Sequence, residues 1–333
     1  MNPESANPPG DRPSVALCTW NGEKFLRAQL DSITAQTSAV SEIVVCDDCS
    51  TDATGRIVRD FAAASSIPVR FEINPTRLGV TRNFEKAVSL CTGQIIFLCD
   101  QDDLWRQDKV ASLLACFANP AVGLAFSNAE VVREDLSSAG YNLWQSIWFD
   151  AAEQQRVRSG DALPVLLRHS IAAGSTLAFR ASHLPLILPI PDFPHCHDIW
   201  ITLLIACVAG ICPLDKNLVR HRLHSANAVG MQNHNFLSQI KMARRQVSSG
   251  AFQYAADLHQ AALDRLRQFA AEDPGFDRKF AVLTEKVSHS RIRQNMPKSW
   301  LRRLRPIARE LGAGNYRKYS YGYKSVLQDL FLR

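Results

Sequence analysis

Residues 96–105, Ile-Phe-Leu-Cys-Asp100-Gln-Asp102-Asp103-Leu-Trp, decide how the rest of the chain is interpreted. The apolar run Ile95–Cys99 has the length and composition of a buried strand, and three carboxylates within four positions end it. Like charges packed so closely repel and raise one another's pKa, so the cluster is costly unless something neutralises it. A hard divalent cation would do so, and magnesium is typically held by one or two carboxylates together with substrate phosphates. In open α/β sheets ligands sit outside the carboxyl ends of the strands, where these acids fall. The plain alternative is a solvated acidic turn that caps the next helix.

Working outward, Ser14–Thr19 is a short run ended by Trp20-Asn21-Gly22, a turn signal. From Phe25 the spacing turns helical, with Phe25, Leu26, Leu30 and Ile33 on one face. Glu42–Cys46 is a second strand-like run, and it too ends in paired acids, Asp47 and Asp48. Ser50 or Thr51 is placed to cap a helix bearing Ile57, Val58 and Phe61. Val69–Ile73 supplies a third strand, followed by a helix with Phe84, Ala87, Val88 and Cys91 inward and Gly93 at its end. This alternation predicts a mostly parallel sheet with helices on both faces. Two strands ending in clustered carboxylates point to one ligand site rather than to two accidental turns.

A chain of 333 residues has ample surface to bury, as one large domain or as a domain with an appendage. Met1–Pro13 is polar and Pro-rich and reads as a frayed tail, not as a charged-apolar-small leader. The longest apolar stretch, Ile199–Leu214, is shorter than the ~20 residues that span a bilayer and lies between Asp198 and Asp215. It is expected to form a buried helix and strand, in a cytoplasmic protein with no membrane span. The nine cysteines are an odd number and mostly sit in apolar runs, as reduced core residues do. Cys46 and Cys49 have C-x-x-C spacing, but no second pair completes a zinc site.

Beyond residue 235 the pattern is helical: Leu237, Ile240, Met242, Ala243 and Val247 share one spacing, and Ala255, Leu258, Ala262, Leu263 and Leu266 another. Pro274-Gly275, Pro297 and Pro306 are expected boundaries. The net charge of +6 is concentrated at the C-terminal end, where nine basic residues from Lys298 onward face only Glu310 and Asp329. Trp300, Leu301, Leu304, Tyr316, Tyr319, Tyr321, Tyr323, Leu327, Leu330 and Phe331 are interleaved with them. Nucleic acid is not among the expected partners, because no recognition motif accompanies the charge. A peripheral membrane contact through residues 298–333 and a solvated helical subdomain both fit.

The segments Val15–Gly22 (VALCTWNG), Glu42–Thr54 (EIVVCDDCSTDAT), Leu78–Ala87 (LGVTRNFEKA) and Gly93–Val110 (GQIIFLCDQDDLWRQDKV) come first in an ordered set. Gly174–Arg180 (GSTLAFR), His197–Trp200 (HDIW) and Arg222–Gly230 (RLHSANAVG) complete it. Each is weak alone; together they resemble the family 2 glycosyltransferases, which have the GT-A nucleotide-sugar-binding fold. The last two look closest to bacterial rhamnosyltransferase-like members. The resemblance implies a tail over residues 1–13, a catalytic domain over 14–235 with a Rossmann-like sheet, and a helical C-terminal region over 236–333 on the acceptor side.

It further implies an inverting, metal-dependent hexosyltransferase that uses Mg or Mn. The donor would be a dTDP- or UDP-linked sugar, with rhamnose as the leading expectation. The acceptor would be a glycan or a lipid-linked glycan of cell-surface polysaccharide synthesis, met at the inner face of the plasma membrane. Thr19, Trp20 and Asn21 would line the nucleotide, with Trp20 standing where the family usually has tyrosine. Asp48 would accept from the base imide, with Asp47 in support. Cys49 replaces the family's common glycine, so the local backbone is expected to differ if that turn needs positive φ. Arg82 would lie near the nucleotide or be a surface arginine. Asp100 would contact ribose or metal-bound water and Asp102 would ligate the metal, while Asp103 is expected to cap the next helix. His224 would be a metal ligand or phosphate contact, or a plain loop histidine. Asp198 would be the catalytic base, its alternative being a helix N-cap.

Two rival functions remain. A sugar-nucleotide nucleotidyltransferase needs a Gly-rich basic loop after the first strand, and Thr19-Trp20-Asn21-Gly22-Glu23 has a single glycine. The other is an inactive nucleotide-sugar-binding subunit, and the presence of all the expected acids, Asp48, Asp100, Asp102 and Asp198, argues against such decay.

Overall fold

The apolar runs that end in acids lie side by side. In the computed structural model, which describes residues 12–224, 243–270 and 274–332, strands β1 (Pro13–Thr19), β2 (Glu42–Asp47), β3 (Val69–Ile73) and β4 (Ile95–Asp100) are parallel in the order β3-β2-β1-β4. Helices α1 (Leu26–Thr34), α2 (Thr54–Ala64) and α3 (Val80–Leu90) connect them. Each buries most of the face expected of it: Leu26, Leu30 and Ile33; Val58 and Phe61; Phe84, Ala87 and Val88. Ile57 is only half-buried, and Phe25 and Cys91 are half-buried cap residues just outside α1 and α3. The register sets Thr19 opposite Asp47, and Cys18 opposite both Cys46 and Asp100. Three strand ends therefore open onto one edge, with acids on the outer two.

The sheet continues as β8-β6-β9-β5, through β8 (Leu177–Arg180), β6 (Val122–Arg133), β9 (Gly210–Leu223) and β5 (Leu104–Trp105). Strand β8 is antiparallel to β4 and β6, β5 is antiparallel to β9, and β7 (Ser138–Asn142) forms a hairpin with β6. The sheet is thus parallel in its first half and mixed in its second, where β6 and β9 are parallel; β6 and β7 are antiparallel because a tight hairpin can only join antiparallel strands. Helix α4 (Lys109–Cys116) follows β5, and the short helices α5 (Leu143–Ser146), α6 (Ala151–Arg158), α7 (Leu163–Leu166) and α8 (Leu184–Ile187) precede α9 (His197–Val208). The stretch Ile199–Leu214 is, as expected, a buried helix running into a strand. No helix among the described residues is long and apolar enough to cross a membrane.

Several local expectations fail. Neither Ser50 nor Thr51 caps α2; its N-cap is Ala53, whose N–H donates to Glu23 Oε2 at 2.9 Å from the neighbouring loop. Cys49 keeps positive φ (62°) rather than a different backbone, and its Sγ donates to the Asn74 carbonyl at 3.0 Å. Asp103 does not cap a helix, since α4 begins after Asp108.

The chain divides into two compact units, residues 1–160 with 172–231, and residues 161–171 with 232–333. The expected boundary at residue 235 and the pattern over Leu237, Ile240 and Met242 lie outside the described residues, as does nearly all of the expected tail. In the second unit the helix Ala251–Ala270 buries Leu258, Ala262, Leu263 and Leu266. A break at Pro274 precedes the helix Asp277–Gln294, and Pro297 lies in the gap before Trp300–Gly312. Pro306 is no boundary; it sits inside Trp300–Gly312. The carbonyl it leaves unpaired, four residues earlier, belongs to exposed Arg302, so water can satisfy it.

This unit buries an ionic network. Arg293 makes a two-pronged bond to Asp329 (2.8 and 3.2 Å), which also accepts from Tyr316 Oη at 2.8 Å. His289 Nδ1 lies 2.6 Å from Glu310 Oε2, and its Nε2 lies 2.8 Å from Ser320 Oγ. Burial, with cationic neighbours, holds His289 down at about 4 and His259 down at about 3. An unfolded histidine takes up its proton near pH 6.5, so below that pH the unfolded chain binds more protons and stability falls. At pH 5.5 the loss is expected to be about 1 kcal/mol per histidine, continuing down to the folded values. Thermal melts of the full chain at pH 7.5 and 5.5 check this. His259→Leu should flatten the slope, and an unchanged slope would remove His259 from the account.

Candidate active site

The turns after β1, β2 and β4 are laced to one another. Thr19 Oγ1 donates to Asp47 Oδ1 at 2.7 Å, and Asp47 also accepts from the Ser50 hydroxyl and N–H. Asn21 (φ 48°) bridges the same loops, its N–H donating to Ser50 Oγ at 2.8 Å and its Oδ1 accepting from Thr51 N at 2.9 Å. Gln101, between the two key aspartates, grips the Trp20 backbone with both ends of its amide, at 2.9 Å each. A Cβ on Gly22 would meet Gln101 Oε1 at 2.2 Å, so only glycine admits this clamp. It fixes the β4 turn to the β1 turn.

Trp20 is 41% exposed, and the Arg77 guanidinium stacks on its ring at 3.6 Å. Arg77 is held there by Asp48. The buried Asp48 carboxylate accepts from Leu78 N (2.6 Å), Gly79 N (2.8 Å) and Asn74 Nδ2 (3.0 Å), and Arg77 Nε lies 4.0 Å from it. Arg82 turns elsewhere, to Glu85 Oε2 (2.8 Å), the Ile190 carbonyl (2.9 Å) and Asp192 (3.7 Å). It ties α3 to the segment that leads into α9.

The acids after β4 meet the end of β9. Asp102 Oδ2 lies 2.9 Å from His224 Nε2, both side chains largely buried. Arg222 Nε donates to the Asp102 carbonyl at 2.9 Å, and its guanidinium lies over Phe25. Asp103, fully buried, faces His221 Nδ1 at 3.1 Å and accepts from Arg222 N at 3.1 Å. Burial alone would raise the Asp103 carboxyl, but His221 and the bonds it accepts hold it down. Burial likewise works against protonated His221, yet Asp103 lifts it to about 9. Asp100 is different: burial and the charges of Asp102, Asp103 and Asp198 push it well above the ordinary carboxylate range, against His221. Asp102 is also raised, by burial and Asp103, with His224 opposing.

Asp198 is the second residue of α9, not its cap; the cap is Cys196, whose side chain makes no capping bond and instead donates to the Pro191 carbonyl. Its Oδ1 accepts from Ile199 N at 2.7 Å. The preceding residue, His197, stacks on Phe84 at 4.2 Å, and a Cβ on Gly174 would meet its Nε2 at 2.9 Å. Thr81 Oγ1 donates to the Phe193 carbonyl and accepts from Cys196 N, so α3 anchors the start of α9.

The structure therefore brings Asp102 to His224, Asp100 into the field of Asp198, and Thr19, Trp20, Asn21 and Asp47 to the same loop cluster. Among the described residues no three His, Cys, Asp or Glu side chains form a ready metal cage. The donors still fit a divalent cation that keeps water and phosphate ligands, since burial and then mutual repulsion have raised the carboxyls of Asp100 and Asp102 beside His224. Sequence reasoning missed Gln101, Arg77 and His221. Gln101 carried a signal in the D-Q-D triplet; the other two carried none.

Residues 14–162 match the model of the family described as Glycosyl transferase family 2. An uncharacterized protein of Mycobacterium tuberculosis is 32% identical over 125 residues, 37% of this chain and 36% of that protein. An uncharacterized glycosyltransferase of Nostoc is 26% identical over 64% of this chain and 65% of its own length. The Escherichia coli glucosyltransferase WfgD is 25% identical over 37% of this chain and 47% of its length. The chain thus spans just over a third of the first of these curated relatives and just under two thirds of the Nostoc protein. Among solved structures, S. aureus TarS superposes with a TM-score of 0.53 at 17% identity, over 97% of this chain and 93% of that one. The mannosyltransferase PcManGT of Pyrobaculum calidifontis gives 0.50 at 18% identity, over 90% and 92%. The fold is thus of GT-A type, and the stretch that matches the model of glycosyl transferase family 2 runs from β1 past the acidic turn of β4.

Proposed function

We propose that the chain is an inverting glycosyltransferase that moves a hexose-type sugar from a nucleoside-diphosphate donor to an acceptor hydroxyl. The observation that carries this is the Asp102–His224 pair at 2.9 Å, beside an Asp100 carboxyl that feels the charge of Asp198. In this reading Asp102 and His224 hold a magnesium or manganese ion, which when bound supplies Lewis acidity toward the leaving diphosphate. Trp20 and Arg77 offer a flat cationic platform to a pyrimidine base, shaped by Thr19, Asn21 and Asp47. A carboxylate has about four lone-pair sites, and three on Asp48 are taken, which leaves one for a base imide N–H. Asp100 accepts from the ribose or from water at the cation. Asp198 takes the proton of the attacking hydroxyl. One base opposite the leaving group means direct displacement, and so inversion at carbon 1. Arg82 serves by holding the segment ahead of α9.

The solved relatives lend support through their contents: TarS was seen with UDP-GlcNAc, and PcManGT with GDP-Man and Mn2+. WfgD is named for a diphosphoundecaprenol-linked acceptor, which supports a lipid-linked glycan of surface polysaccharide here, met at the cytoplasmic face. For the donor we propose dTDP-rhamnose, resting on the His197–Trp200 and Arg222–Gly230 segments; residues 225–230 lie outside those described. A thermal-shift screen of nucleotide sugars with Mg²⁺ or Mn²⁺ tests both levels. A true donor at a hundred times its Kd is expected to stabilise by about 2.7 kcal/mol. A larger shift with a UDP-hexose replaces the sugar and keeps the reaction class; no shift with any nucleotide sugar overturns the class.

A further inference from the structure

The last helices of the second unit are built inside out. In Trp300–Gly312 the buried residues are Arg303, Ile307 and Glu310, whereas Trp300, Leu301, Leu304 and Leu311 are exposed. At about 100° per residue the helix divides into three arcs. Trp300, Leu311, Leu304 and Leu301 fill one, Arg305, Arg309 and Arg302 the next, and the buried residues the third. The helix Tyr323–Phe331 repeats the inversion: Ser325, Gln328 and Asp329 are buried, and Tyr323, Leu327 and Phe331 are exposed on one arc with Lys324. Seven of the twelve large apolar side chains left exposed among the described residues belong to these two helices.

Neither helix can turn its apolar arc inward. Arg303 donates to the carbonyls of Pro297, Lys298, Asp329 and Leu330, and Glu310 accepts from Asn315 and faces His289. Asp329 is held by Arg293 and Tyr316. Rotation would leave these charges buried and unpaired, which costs far more than exposed leucines do. The apolar arcs thus stay outside, where water is a poor partner. Charge selects among the other partners. Over residues 298–332 the exposed ionised side chains are Lys298, Arg302, Arg305, Arg309, Arg317, Lys318 and Lys324, with Lys318 beside Glu285. The two carboxylates of this stretch, Glu310 and Asp329, are buried. A second copy would bring one cationic rim against another. An anionic bilayer satisfies both features, with apolar side chains at the acyl boundary and arginines at the phosphates.

We propose that this face docks on an anionic membrane surface, with Trp300–Gly312 lying in the plane of the interface. The test is co-sedimentation of the full chain with vesicles of phosphatidylcholine alone or mixed with phosphatidylglycerol, at low and high salt. Binding is expected only to the anionic vesicles, with release by salt. Each basic residue at such a surface is worth about fivefold in partitioning. The pair Arg302→Gln with Arg305→Gln should therefore weaken binding roughly 30-fold. Leu301→Ser with Leu304→Ser should also release the protein. All four positions are exposed, and thermal melts confirm that each pair folds. Failure to bind anionic vesicles at low salt overturns the proposal, as does equal binding to neutral ones. Native binding by both folded variant pairs also overturns it, and so does a dimer of the wild type that Leu304→Ser dissolves.

Discussion

Asparagine at position 198 is expected to leave donor binding nearly intact while lowering transfer by about 10²–10⁴-fold, the usual worth of a positioned base. The structure makes this a clean test. Asp198 is inside the first turn of α9 and is not its cap, so the change removes no capping bond. The contact it does make, accepting from Ile199 N, can be kept by the amide oxygen of asparagine. Only the favourable interaction of a carboxylate with the helix N-terminus is lost, about 0.3–1 kcal/mol. A small drop in melting temperature should therefore accompany a large drop in kcat. Calorimetric donor affinity and turnover, measured on the same preparation, separate the two effects. Near-normal kcat with a lowered Tm would place the base on another residue.

The second large effect is expected from Asp102→Asn, which should abolish metal-dependent donor binding and leave the fold intact. Asparagine keeps the shape and can still face His224, but it removes the charge that, on the proposed reading, would hold a divalent cation. The neighbouring acid illustrates the contrast. Asp103 is fully buried, paired with His221 and bonded to Arg222 N, so it belongs to the framework of the turn. Asp102 is largely buried but keeps 16% of its side chain exposed, with a carboxyl raised by burial and by Asp103, the condition that a cation relieves. Titration with a nucleoside diphosphate plus Mn²⁺, and with each alone, reads binding directly. Undiminished affinity in the variant would sink the assignment of Asp102.

Much of the framework was legible because it rests on local periodicity. Apolar runs of strand length and helical spacing specify β1 to β4, α1 to α3 and the pair α9–β9, and burial of the expected faces follows from them. Parallel strands joined by helices must bring their carboxyl ends to one edge, so clustered acids at two such ends marked the cleft before any contact was known. Local reasoning failed where a side chain had two possible employers. Ser50 looked like a cap for α2, but its N–H and hydroxyl serve Asp47, while Glu23 from another loop takes the Ala53 N–H. Asp103 looked like a cap for α4 and is the partner of His221.

By itself, then, the sequence determined the strand–helix framework and the edge on which the chemistry-bearing acids converge. It could do so because hydrophobic patterning is read over neighbouring residues. Tertiary structure alone decided which acid meets which base. His224 reaches Asp102 across 122 residues and Gln101 reaches Trp20 across 81, distances over which no local pattern carries information. It also decided that the charges of the last helices face inward and their leucines outward. Hydrophobic spacing gives a helix an apolar arc, but buried ionic partners contributed by other helices fix which way that arc points.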